Sequence, residues 1–120
     1  WDAVVRDLNG VLDAHLKNRF GDIAYHFVID YTGKIWQGRS LCYKGAHVYG
    51  ENANNLGIML QGNFEEQRPS LAQVDALLAL IRAARGAWRI PGSAVYGHRD
   101  LGRSICPGRF LYEMLDCAKI

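Results

Sequence analysis

The stretch Tyr25-His26-Phe27-Val28-Ile29-Asp30-Tyr31-Thr32-Gly33-Lys34-Ile35-Trp36-Gln37-Gly38 contains two β-prone runs separated by Tyr31-Thr32-Gly33. The glycine in so short a link is the chemistry of a tight turn, so the two runs read as a β-hairpin. Upstream, Val4, Val5, Leu8, Val11, Leu12, His15 and Leu16 recur at helical spacing, which predicts an amphipathic helix over 2–18. Downstream, 39–55 holds Gly45, Gly50 and three Asn and reads as a long loop. Leu56-Gly57-Ile58-Met59-Leu60-Gln61 is a nearly unbroken apolar run, expected as a strand buried on both faces. After a polar turn over 62–69, Ser70 is a good N-cap for a helix over 71–86, with Val74, Leu77, Leu78, Leu80, Ile81 and Ala84 inward. Pro91-Gly92 breaks the chain before a short strand expected at 94–97. A last helix is expected from near Pro107, burying Phe110, Leu111, Met114 and Leu115.

This order mixes helices and strands around one small sheet, an α/β or α+β domain. A chain of 120 residues suits one domain, spanning 1–120. It is short of strands, which predicts that another comes from a part of the protein outside this sequence. At 49% hydrophobic and 22% charged the profile is that of an ordinary globular protein. A net charge of +2, with both signs interspersed, argues against nucleic acid as a partner. No apolar run reaches the ~20 residues of a membrane span, and no signal peptide is visible. The chain opens on Trp1 and reads as a fragment or processed form; a monomer is expected.

Chemistry concentrates in Tyr96-Gly97-His98-Arg99-Asp100-Leu101-Gly102-Arg103-Ser104-Ile105-Cys106-Pro107-Gly108. His98 and Cys106 are both good zinc ligands, and a catalytic zinc takes three protein ligands plus water. A helix beginning just after Cys106 would favour its thiolate. Spacing alone favours a plainer reading, a loop-capping histidine and a core thiol, since one His…Cys pair is weak evidence. A cysteine hydrolase with His98 as base is a third reading. Asp100 is a candidate to anchor the His98 imidazole. Tyr25 and His26 are strand neighbours, so one faces a cleft and the other the core. His15, on the apolar stripe of the first helix, reads as partly buried, and His47 lies on the loop expected to line a cleft. The three cysteines, Cys42, Cys106 and Cys117, show no CxxC spacing. A Cys42–Cys117 bridge stays open, while Cys117 reads as a small buried hydrophobe.

Taken together, Asp22–Ile29, Gly33, Gly38-Arg39, Gly45-Ala46-His47, Asn52, Asn55-Leu56-Gly57-Ile58, Gly62-Asn63-Phe64, Gly97-His98-Arg99-Asp100 and Cys106-Pro107-Gly108 resemble the type 2 N-acetylmuramoyl-L-alanine amidases and peptidoglycan recognition proteins. The resemblance implies an α/β fold with a small central mixed sheet flanked by about three helices. It implies a zinc hydrolase of the amide between N-acetylmuramic acid and L-alanine, with His98 and Cys106 as two ligands. The third is expected N-terminal to Trp1, on a strand preceding the first helix. The resemblance also gives Tyr25 and Ser104 to oxyanion stabilisation, and His15, Arg19, His47 and Asn52 to a groove for the glycan and peptide. Relatives carry Lys or Thr where Ser104 stands, and a hydroxyl supplies a hydrogen bond without the lysine's charge. Relatives that only bind peptidoglycan usually lack the cysteine, so Cys106 favours hydrolysis over a non-catalytic binding module of the same fold. A cell-wall-facing location, periplasmic, secreted or phage-released, follows from that substrate.

Overall fold

Asp30 sits 1% exposed at the mouth of a hairpin and organises it. Its Oδ1 accepts from the Thr32 N–H, the Thr32 hydroxyl and the Lys34 N–H, and its Oδ2 from Trp36 Nε1–H at 2.8 Å. Gly33, at φ 86°, supplies the left-handed turn residue that a side chain would resist. The computed structural model of the chain describes residues 6, 8–12, 16, 24–41, 43, 45–46 and 55–119. The hairpin strands are β1, Phe27–Ile29, and β2, Ile35–Gln37, paired antiparallel with Val28 opposite Trp36. The third strand, β3, Ile58–Leu60, runs parallel to β1 with Val28 opposite Met59. The order β2-β1-β3 makes the sheet mixed, as the resemblance implies.

Residues 6, 8–12 and 16 are helical, in line with the expected first helix. Helix α1, Leu71–Trp88, starts at Ser70, whose hydroxyl accepts the Gln73 N–H while Gln73 returns a bond to the Ser70 N–H. This capping box closes two of the N–H groups that a helix start leaves open. One face of α1 buries Leu77, Ile81 and Ala84, the first two in a cluster with Ile29, Leu60, Phe64, Leu111 and Ala118. Gln73 is buried as well, its Nε2 donating to the Gln61 carbonyl at 2.9 Å and so tying α1 to the end of β3. Ile58 and Met59 are only half-buried, so β3 is less enclosed than its apolar run suggests.

Residues 94–97 do not form a strand. Val95 and Gly97 have extended backbones, but the Val95 N–H closes a 3-10 turn on Gly92 and the Gly97 N–H goes to Asp100 Oδ2. With those donors spent locally, no ladder is available to them. Three one-turn helices follow: α2, His98–Leu101, α3, Arg109–Tyr112, and α4, Leu115–Ala118. The last helix therefore begins after Gly108 and breaks between Tyr112 and Leu115. It buries Leu111, Leu115 and Ala118, leaves Phe110 and Met114 half-buried, and turns Cys117 to solvent as a free thiol. The expectation of a buried Cys117 fails because the break rotates that position off the core; Cys42 lies outside the described residues. Arg85 anchors this C-terminal part, donating from Nη1 to the Ala118 carbonyl at 3.0 Å.

Candidate functional site

Consecutive residues of an extended segment face opposite ways, and Tyr25 and His26 divide accordingly. His26 is 3% exposed; its Nδ1 accepts the Gly57 N–H at 2.9 Å and its Nε2 donates to the Tyr43 carbonyl at 2.8 Å. Those partners assign the proton to Nε2 and engage both nitrogens, so His26 ties β1 to the loop and to β3. Tyr25 turns to a cleft of about 1210 Å³, whose walls it shares with His98 and Cys106. Burial raises the Tyr25 phenol above its ordinary value and the neighbouring Cys106 raises it further. Tyr25 is thus a protonated hydrogen-bond donor at neutral pH.

His98 opens α2, and among the described residues its imidazole has no hydrogen-bond partner. Asp100 does not anchor it. Both Asp100 oxygens are engaged elsewhere, Oδ2 by the Gly97 N–H at 2.8 Å and Oδ1 by the Tyr112 hydroxyl. The Tyr112 hydrogen bond, outweighing burial, holds the Asp100 carboxyl below the usual range, helped by the Gly97 N–H.

Cys106 sits at the rim of the cleft, and the Cys106–Pro107 bond is cis. Burial raises its thiol above the ordinary value, while the Arg99 guanidinium pulls it down. The thiolate stabilisation expected from a helix start is not realised, because the following helix is a single turn beginning beyond Gly108. Ser104 is exposed beside Cys106, and its Oγ accepts the Cys106 N–H at 3.0 Å. That bond leaves the hydroxyl proton able to donate. His15, Arg19, His47 and Asn52 lie outside the described residues.

Two features around the site go beyond the reading of 62–69 as a polar turn and of 107–115 as one apolar-faced helix. The first is the brace formed by Gly62-Asn63-Phe64. Phe64, 3% exposed, accepts the Phe110 N–H on its carbonyl, and Glu65 Oε2 accepts the Arg109 N–H at 2.8 Å. Gly108, at φ 90°, lies so close that a Cβ there would stand 2.4 Å from the Phe64 carbonyl carbon. The second is Tyr112, an aromatic with a polar tip beside the apolar Phe110, Leu111, Met114 and Leu115; that tip was the available signal.

An imidazole and a thiol lining one cleft are donor types that suit zinc. Among the described residues no group of three His, Cys, Asp or Glu side chains forms a metal cluster.

Comparison with known proteins gives a consistent picture. A family model described as N-acetylmuramoyl-L-alanine amidase matches residues 5–109. Peptidoglycan-recognition protein SD of Drosophila simulans is 37% identical over 100 residues, covering 82% of this chain and 54% of the fly protein. The human protein named N-acetylmuramoyl-L-alanine amidase is 34% identical over 102 residues, 80% of this chain and 17% of the relative. The chain thus spans about half the length of the fly relative and a smaller share of the human one. Among solved structures, the amidase LysC from Clostridium intestinale URNW superposes with a TM-score of 0.84 at 31% identity, covering 90% of this chain and 72% of that one. Drosophila peptidoglycan recognition protein SD superposes at 0.87 and 31% identity, covering 95% and 69%.

Proposed function

From the premise that this chain belongs to the N-acetylmuramoyl-L-alanine amidase family, we propose that it hydrolyses the amide between the lactyl group of N-acetylmuramic acid and L-alanine in peptidoglycan or muropeptides. The observation that supports this most is the meeting of His98, Cys106 and Tyr25 on one cleft. His98 and Cys106 would hold a zinc ion, with a third ligand from outside the described residues. When bound, zinc polarises a carbonyl and makes water acidic enough to attack at neutral pH.

The protein's own groups have separable tasks. Tyr25, kept protonated by burial, donates a hydrogen bond to the oxyanion that develops as water adds to the lactyl carbonyl. Ser104 is the second candidate donor, its hydroxyl proton free to turn while its oxygen caps Cys106. Breaking the C–N bond leaves a lactyl carboxylate on the sugar and a free amine on L-alanine. His15, Arg19, His47 and Asn52 would line the substrate groove, with the Arg19 guanidinium suited to a stem-peptide carboxylate.

The test is mass-spectrometric detection of peptide release from a muramyl peptide by zinc-loaded protein. Cleavage is expected to disappear with a chelator and with Cys106→Ser. Tyr25→Phe should lower kcat about 10²–10³-fold, the loss typical of one oxyanion donor, with zinc content unchanged. Muropeptide binding without release, at full zinc loading, would favour the recognition-module reading instead. Turnover that survives metal removal but is lost to thiol alkylation would favour the cysteine-hydrolase reading.

A further inference from the structure

We propose that Arg99 and Tyr112 are positioning residues that clamp the segment 97–108, fixing how His98 and Cys106 are presented to one another. The inference rests on the zinc reading above for its purpose, but its geometry is independent of the metal. Between His98 and Cys106 the chain makes an excursion past the half-buried Gly102 through the exposed Arg103, Ser104 and Ile105, none of them part of the buried core. Such a segment has little of its own to hold two ligands at a constant separation.

Arg99 closes the excursion from one side. Its backbone N–H donates to the Cys106 carbonyl at 2.8 Å, and its Nη2 donates to the Ile105 carbonyl at 2.6 Å. The Ile105 carbonyl also accepts the Gly108 N–H, so the guanidinium binds the pivot of the Cys106–Gly108 turn. The same guanidinium lies 4.4 Å from the centroid of the Tyr112 ring. Tyr112 closes the other side. Its hydroxyl donates to Asp100 Oδ1, while Asp100 Oδ2 takes the Gly97 N–H at the start of α2. The Tyr112 ring packs so tightly on Gly97 that a Cβ there would stand 2.9 Å from Tyr112 Cδ2 and 3.0 Å from Pro107 Cδ. One aromatic side chain from α3 thereby touches the residue before His98 and the arginine that follows it, while Pro107, the residue after Cys106, lies against the same glycine.

Bonding a carbonyl through one nitrogen while the planar guanidinium lies over an aromatic ring combines two tasks that lysine does not reproduce together. Arg99→Lys should therefore behave like Arg99→Ala, although it keeps the charge. Tyr112→Phe keeps the ring and removes only the bond to Asp100.

The experiment measures residue-resolved amide exchange on the metal-free protein, together with zinc affinity by chelator competition. In Arg99→Ala and Arg99→Lys the amides of residue 99 and Gly108 should exchange faster. In Tyr112→Phe the Gly97 amide should do so. The amides of Leu77 and Ile81 in α1 should stay at wild-type rates. Zinc affinity should fall about 10–100-fold, as when outer partners of metal ligands are removed. Unchanged protection across 97–108 overturns the clamp, and so does faster exchange spread equally into α1. A wild-type protein that takes up no zinc defeats the amidase reading, while exchange still decides the clamp.

Discussion

Asp30 is a carboxylate sealed into the hairpin with its oxygens turned to four donors. Burial alone would raise its pKa, but the hydrogen bonds from Thr32, Trp36 and Lys34 outweigh it and hold the group low. A carboxyl held low in the fold contributes stability above its unfolded value of about 3.9 and loses that contribution as pH falls through the folded value. Stability measured by urea unfolding should therefore be level near neutral pH and drop below about pH 4. Asp30→Asn should be less stable at pH 7 by about 1–3 kcal/mol, because one amide oxygen replaces a charged acceptor pair. It should also flatten the acid limb; an unchanged acid slope would remove Asp30 as its source. None of this was readable beforehand, since a short strand ending in Asp looks like any turn. The split between Tyr25 and His26 was legible, because alternation along a strand is a rule of backbone geometry. Which of the pair went inward was not, since that depended on the Gly57 N–H and the Tyr43 carbonyl arriving from distant segments.

The elements divide by how local their causes are. Helix α1 was visible in the sequence because its cap, its apolar stripe and its length all agree. Ser70 does more than cap, however, since its hydroxyl also donates to the Tyr31 carbonyl at 3.2 Å and links α1 to the hairpin turn. Ser70→Ala should therefore cost about 1–2 kcal/mol in unfolding free energy, the upper part of the range for lost N-caps. A cost below ~0.5 kcal/mol, the low end of that range, would mean that neither bond contributes. The C-terminal helix was misjudged because Phe110, Leu111, Met114 and Leu115 carry a helical period straight through the break. What the period cannot express is the docking of Gly108 and Arg109 on Phe64 and Glu65, which sets where the first turn starts. Gly108→Ala tests that docking directly. At φ 90° and 2.4 Å from the Phe64 backbone, the added methyl should destabilise by more than the ~1 kcal/mol of an ordinary glycine replacement. A thermal midpoint equal to wild type would show that the brace can give way.

Across the whole molecule, the candidate site is a meeting of three regions that carry few side chains in common. Tyr25 enters from the start of β1, His98 from the segment after α1, and Cys106 from the turn held on the Phe64 brace. Collinear motifs along the chain made this constellation recognisable, whereas the His98…Cys106 spacing by itself favoured a structural pair. A zinc ion held by both residues would tie the two ends of the segment 97–108 together in the native state alone. Binding to the folded form stabilises by RT ln(1 + [Zn]/Kd), about 2.7 kcal/mol at a hundredfold excess over Kd. For a chain of this size that corresponds to a rise of about 10 °C in the thermal midpoint. The rise should disappear in Cys106→Ser and in His98→Ala, and it should persist in Cys117→Ser, whose thiol is exposed away from the cleft. Scanning calorimetry with and without zinc on the three variants makes the comparison. An equal shift in wild type and Cys106→Ser would place the bound metal elsewhere, and with it the chemistry assigned to the cleft.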